Sequence, residues 1–128
     1  MKRGGILHPG IARLLASTGH TDYFTICDRG FPVPVGPERI DLALVDDLPT
    51  VLDVLRAIER EFVIDRVIVA EEAEMTSAGY VAALGAVGGG LRVETVPHLE
   101  LKHLSRDGRA TIRTGDTTTY ANIIVVSG

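Results

Sequence analysis

Five side chains of this 128-residue sequence, His20, Asp28, His98, Tyr120 and Asn122, are of types that move protons or hold polar ligands. His20 follows His8-Pro9-Gly10-Ile11-Ala12-Arg13-Leu14-Leu15-Ala16-Ser17-Thr18-Gly19, where Pro suits a first helical position, Ile11, Leu14 and Leu15 make an apolar stripe, and Gly suits a left-handed cap. The spacing predicts a short helix ending at Gly19. Just past its negative end an imidazolium is favoured, so His20 is a candidate proton donor. Tyr23-Phe24-Thr25-Ile26-Cys27 reads as a strand, which puts Asp28 at a strand's carboxyl end, where open α/β sheets gather ligands. The competing reading is plainer: a histidine that caps carbonyls and an aspartate that makes a turn.

His98 presents the opposite case. Leu91–Val96 alternates as a strand, and Pro97-His98 opens a helix expected over His98–Leu104. At a helix start the positive dipole end favours the neutral ring. A histidine inclined to charge and one inclined to neutrality have the separated proton affinities that acid–base chemistry uses, although a loop-exposed His98 would need no such role. Tyr120-Ala121-Asn122 precedes a terminal strand, Ile123–Val126, and offers a phenol, an amide and the backbone between them to a polyhydroxylated ligand. It could equally do no more than start that strand. His8 and His103 read as surface residues.

The elements between these residues alternate in type. Three prolines and two glycines in Arg29–Glu38 exclude regular structure and set a stiff loop, a wall beside a site or a plain surface connection. Ile40–Val45 reads as a strand, and Asp46-Asp47-Leu48-Pro49 introduces a helix over Thr50–Phe62, with Val51, Leu52, Val54, Leu55, Ile58 and Phe62 facing the core. Arg56, Glu59, Arg60 and Glu61 form its solvated face. Val63–Ala70 is the longest β-branched run and reads as a central strand buried on both faces. It ends in Glu71-Glu72, a pair suited to a metal or to acid–base work, but better read as a cap or interface without a second ligand cluster. Met75–Leu84 reads as one helix, and Gly85–Gly90 as a turn, since the glycines lack the Lys-Ser/Thr of a phosphate loop. Arg109–Asp116 reads as a strand entering a turn.

Composition narrows the class. The length fits one domain spanning 1–128, and 45% apolar with 23% charged residues is ordinary for a globular chain. A net charge of −4, a pI near 5.5 and scattered basic residues argue against nucleic acid and for a small, uncharged or mildly charged ligand. Cys27 is the single cysteine, so neither an intrachain disulfide nor a thiolate zinc cluster is available, and its strand position predicts a buried, inert thiol. No stretch has the length of a membrane span, and the first residues are not followed by a signal-peptide run, so a cytoplasmic location is expected.

Ordered blocks across nearly the whole chain resemble the D-ribose pyranase (ribose mutarotase) family, which shares a fold with the L-fucose mutarotases. They are Gly19-His20-Thr21-Asp22, Cys27-Asp28-Arg29-Gly30-Phe31-Pro32-Val33-Pro34, Arg39-Ile40-Asp41-Leu42-Ala43-Leu44, Ile68-Val69-Ala70-Glu71-Glu72, Ile112-Arg113-Thr114-Gly115-Asp116 and Tyr120-Ala121-Asn122-Ile123-Ile124. Gly-His-Thr-Asp with Tyr-Ala-Asn is similar to the ribose branch, whereas the fucose branch typically carries Gly-His-Gly-Asp and Tyr-Gly-Asn. The resemblance implies a single three-layer α/β domain with a central mixed, largely parallel sheet flanked by helices. It implies a cofactor-free, metal-free isomerase that interconverts pyranose and furanose D-ribose in ribose catabolism, His20 donating the proton and Asp28, His98, Tyr120, Ala121 and Asn122 binding the sugar. It also implies a pentamer or decamer, with the Tyr120–Asn122 segment completing a neighbour's site. An L-fucose mutarotase and a non-catalytic sugar-binding or transporter-associated module are the alternatives.

Overall fold

The computed structural model describes residues 1–128 and consists of one six-stranded sheet with helices packed on it. The strands are β1 (Tyr23–Cys27), β2 (Glu38–Asp41), β3 (Ile64–Ala70), β4 (Val93–Val96), β5 (Ala110–Arg113) and β6 (Ile123–Ser127). The helices are α1 (Pro9–Ser17), α2 (Val51–Glu59), α3 (Glu71–Thr76), α4 (Ala78–Gly85) and α5 (His98–Ser105), with a 3-10 turn at Val87–Gly89. The sheet order is β2-β5-β1-β6-β3-β4. The ladders β2/β5, β5/β1 and β3/β4 are parallel, and β6 runs antiparallel to both its neighbours. Five strands therefore point one way and β6 alone points back. This is the mixed, largely parallel α/β sheet expected.

One core of 27 buried apolar residues holds the layers together. β6 is buried at every position and stands with β1 at the middle of the sheet, while the Val63–Ala70 run, read as a central strand, forms β3, an interior strand between β6 and β4. β3 lies one strand further out, and only its Val67–Ala70 half is fully buried. Each fully buried Ile or Leu of this core contributes about 1.5–3 kcal/mol, so the four interior strands carry much of the stability.

Helix ends depart from the sequence reading for local reasons. α1 stops at Ser17, and Thr18 is already extended. The left-handed residue is Thr21, at φ 65°, rather than Gly19, and the Gly19–Asp22 turn is closed by the Asp22 carboxylate accepting from Gly19 N–H at 2.9 Å. His8, expected to be an idle surface residue, is exposed but accepts from the Gly10 and Ile11 amides through Nδ1 and so caps α1. α2 is capped by Thr50 and Asp53 in a reciprocal box rather than by Asp46 or Asp47. The single helix expected over Met75–Leu84 is two, broken at Ser77, whose φ and ψ of −144° and 48° are not helical. The strand expected at Ile40–Val45 sits earlier, at Glu38–Asp41, because its register is set by the β5 ladder.

Candidate active site

The direction of β6 is what builds the site. Asp28, Glu71-Glu72 and Pro97-His98 follow β1, β3 and β4 at the carboxyl edge of the sheet, and only a reversed strand brings its leading residues, Tyr120-Ala121-Asn122, to that same edge. Because β6 lies between β1 and β3, those residues arrive between Asp28 and His98.

Hydrogen bonds then fix the group. The Asp28 N–H donates to Asn122 Oδ1 at 2.8 Å, and Asn122 Nδ2 stands 3.3 Å from His98 Nε2. The Tyr120 and Phe31 rings meet His98 nearly edge-on, with centroids 5.1 Å and 6.4 Å away. Tyr120 itself is left-handed, at φ 56°. Asp28 Oδ1 accepts from Gly30 N–H at 2.9 Å, while its second oxygen has no partner within the chain. A cleft of about 350 Å³ opens here, bordered by Asp28, Arg29, His98, Thr118, Tyr120 and Asn122. That is the lower end of ligand-pocket size and, with one hydrophobic lining residue, suits a small polar ligand.

Three residues outside the predicted set hold these groups in place. Glu72 accepts from the His98 N–H through both carboxylate oxygens, at 3.0 and 3.2 Å, and so caps α5, whose N-cap Pro97 has no capping side chain. Of the capping or interface role read for the Glu71-Glu72 pair, Glu72 fills the first. Tyr80 donates its hydroxyl to the Ala121 carbonyl at 2.5 Å, and Ala121 is fully buried. Asp116 accepts from Val51 N–H at 2.9 Å and Thr118 N–H at 2.8 Å, tying the loop before Tyr120 to the start of α2. Asp116 ends the Ile112–Asp116 stretch, where a turn residue is all that local sequence indicates. Nothing around Tyr80 in the sequence distinguishes it from an ordinary helix aromatic.

Burial lowers the pKa of His98, assisted by Lys102 one turn along α5 and opposed by Glu72 and Asp28. The neutral ring expected from the helix start is what the site favours, with burial as the leading cause. Burial likewise pushes the Cys27 thiol up to about 12, which accords with an inert buried thiol.

His20 does not join this group within one chain. It is exposed and lies before β1, where Thr21 N–H donates to Ser127 O and Ser127 N–H donates to Asp22 O at the amino edge of the sheet. The length of β1, about 17 Å, separates it from Asp28. The Tyr120–Asn122 segment, expected to complete a neighbour's site, instead sits with the chain's own Asp28 and His98, and His20 is the residue left apart. A larger cleft of about 620 Å³ lies along α2 beneath residues 5–8, but its lining is largely aliphatic, including Ile6, Leu42, Val54 and Ile58, and no candidate site residue borders it.

The RbsD / FucU transport protein family matches residues 1–128. The D-ribose pyranase of Paracidovorax citrulli is 45% identical over 130 residues, covering 100% of this chain and 98% of the relative. The solved structure of Bacillus subtilis RbsD complexed with D-ribose superposes with a TM-score of 0.94 at 38% identity, covering 100% of this chain and 98% of that one. The fucose mutarotase of Streptococcus pneumoniae in complex with L-fucose shares the fold, with a TM-score of 0.73 at 18% identity over 95% of this chain and 93% of that one.

Proposed function

The chain belongs to the RbsD / FucU transport protein family, and from that premise we propose that it is a cofactor-independent isomerase interconverting the pyranose and furanose forms of D-ribose. The observation that carries this reading is the convergence of Asp28, His98, Tyr120 and Asn122 on one small polar cleft, in a chain alike end to end to a D-ribose pyranase. The fucose mutarotase is similar in fold alone, so the ribose reading is preferred to its sugar.

Ring exchange needs little apparatus. A proton reaches the ring oxygen as one leaves the anomeric hydroxyl, the aldehyde forms, the chain rotates, and another hydroxyl closes the new ring. His20 is the proton donor in this reading, a role that positioned histidines fill with gains of about a hundred- to ten-thousand-fold. Since His20 lies an entire strand away from Asp28, the donor to each cleft comes from a neighbouring copy. The protein is then a ring-like pentamer or a pair of pentamers whose sites are shared, and its place is in cytoplasmic ribose catabolism. No helix is long and apolar enough to cross a membrane.

The test is NMR magnetisation exchange between the pyranose and furanose signals of D-ribose, with and without protein, beside His20→Ala. Protein-dependent exchange that disappears in the variant supports the isomerase and its acid. Binding of ribose without acceleration would leave a sugar-binding module, and faster exchange with L-fucose than with D-ribose would move the substrate.

A further inference from the structure

The Asn122 amide is held between two fixed groups whose chemistry leaves it one orientation. A backbone N–H only donates, so the atom facing the Asp28 amide at 2.8 Å is the carbonyl oxygen. The amide nitrogen must then face His98 Nε2, at 3.3 Å. An NH₂ group only donates, so Nε2 is the ring nitrogen that accepts and carries no hydrogen, and the proton of the neutral ring resides on Nδ1. Nδ1 has no partner in the chain and is not among the buried polar atoms lacking one, so it is open to a partner from outside the chain, and His98 is one of the residues that border the cleft.

Acceptors in the cleft are correspondingly few. Asp116, 2% exposed, already receives the Val51 and Thr118 amides. Asn122 Oδ1 is taken by the Asp28 amide, and His98 Nε2 by Asn122. Asp28 is the carboxylate at the cleft with an oxygen left over.

We infer that Asn122 is a positioning residue that holds His98 in the neutral Nδ1–H tautomer, so that His98 meets the ligand as a donor only and the Asp28 carboxylate takes the anomeric proton. The Asp28 half of this inference rests on the isomerase reading; the tautomer half does not. In the opening step the bond between the anomeric carbon and the ring oxygen breaks. The ring oxygen gains the His20 proton, the anomeric hydroxyl passes its proton to Asp28, and the aldehyde carbonyl forms. On closure, the attacking hydroxyl gives its proton to His20 and Asp28 returns its own to the aldehyde oxygen. Both groups are restored and no other reactant is consumed.

The tautomer is read directly from the ¹⁵N ring resonances of His98 at neutral pH, without sugar. A pyridine-like Nε2 and a pyrrole-like Nδ1 are expected, and the reverse assignment overturns the inference. Asn122→Asp keeps an acceptor for the Asp28 amide but loses the donor to the ring, so Nε2 should become protonated and the His98 pKa should rise. An unchanged spectrum in that variant also overturns it. The charged and titratable groups facing the ring are Glu72 of α3, Asp28 after β1, Lys102 of α5 and Tyr120 before β6, none of which the substitution alters. For the second half, Asp28→Asn retains the oxygen that accepts from Gly30, and its exchange rate at saturating D-ribose should fall about a hundred-fold or more. A wild-type rate there sinks the Asp28 assignment. Should the unaltered protein not accelerate exchange at all, the isomerase reading fails while the ring spectra still decide the tautomer.

Discussion

At the scale of single residues, His20 and His98 stand in opposite environments. His20 is exposed and outside the cleft of its own chain, whereas His98 is half-buried, edge-on to two aromatic rings and drawn toward neutrality. Replacing His20 by Ala or Asn should slow ring exchange by about a hundred- to ten-thousand-fold while ribose still binds, as followed by NMR exchange and by calorimetric titration. The pH dependence of His98 has a defined sign. Its folded pKa lies below the unfolded value of about 6.5, so the stability it contributes is complete above that value and is lost as pH falls through the folded pKa. Ribose affinity should fall in the same acidic window, because protonation of Nε2 sets two donors face to face. Thermal melts and titrations across pH 5–8 check both, and an affinity that rises on acidification would contradict the neutral-ring assignment.

Among the elements, the broken pair α3–α4 does what neither half of the cleft does for itself. Glu72 on α3 holds the first turn of α5, and Tyr80 on α4 holds the Ala121 carbonyl, so one helical layer aligns both sides of the cleft from behind. Tyr80→Phe leaves a buried carbonyl unpaired and should cost about 1–3 kcal/mol in urea denaturation, with ribose affinity reduced as Tyr120 and Asn122 loosen. Glu72→Ala removes the α5 cap and should cost about 0.5–2 kcal/mol, while Glu72→Gln, which still accepts from the His98 amide, should recover most of it. A Tyr80→Phe protein as stable as the parent would show that the short hydroxyl contact bears no strain of the fold. The break at Ser77 escaped the sequence reading because Met75–Leu84 contains neither Pro nor an interior signal stronger than Gly79, and a continuous apolar pattern says helix without saying how many.

For the whole molecule, the reversed strand and the stranded histidine lead to one arrangement. Under the shared-site proposal, His20 reaches the cleft of a second copy, and a donor carried to a neighbour from the far sheet edge would make the contact head-to-tail, the kind that closes into rings. Complementation tests this without a structure. His20→Ala and Asp28→Asn proteins, each inactive alone, should regain about a quarter of the wild-type rate when unfolded and refolded together in equal amounts, since about one shared site in four then draws both intact residues. Sites contained within single chains would regain nothing. Dilution below the dissociation constant should abolish exchange, and a fully active monomer in a sedimentation experiment would end the shared-site proposal.

Sequence alone determined much of the chemistry and most of the elements. β1 appears at its predicted bounds, α5 begins at His98, Cys27 is buried, and Asp28 ends its strand, because each of these depends on residues within a few positions of one another. Side-chain types at Asp28, His98, Tyr120 and Asn122 were legible for the same reason, and ordered blocks of them pointed to the family. Tertiary structure decided which candidates meet. Strand direction is a property of chain topology, and only the reversal of β6 between β1 and β3 carries Tyr120–Asn122 to Asp28 and His98 while leaving His20 at the opposite edge. The supporting bonds from Glu72, Tyr80 and Asp116 span 26, 41 and 65 positions, distances at which local pattern carries no information and only the packed sheet brings the partners together.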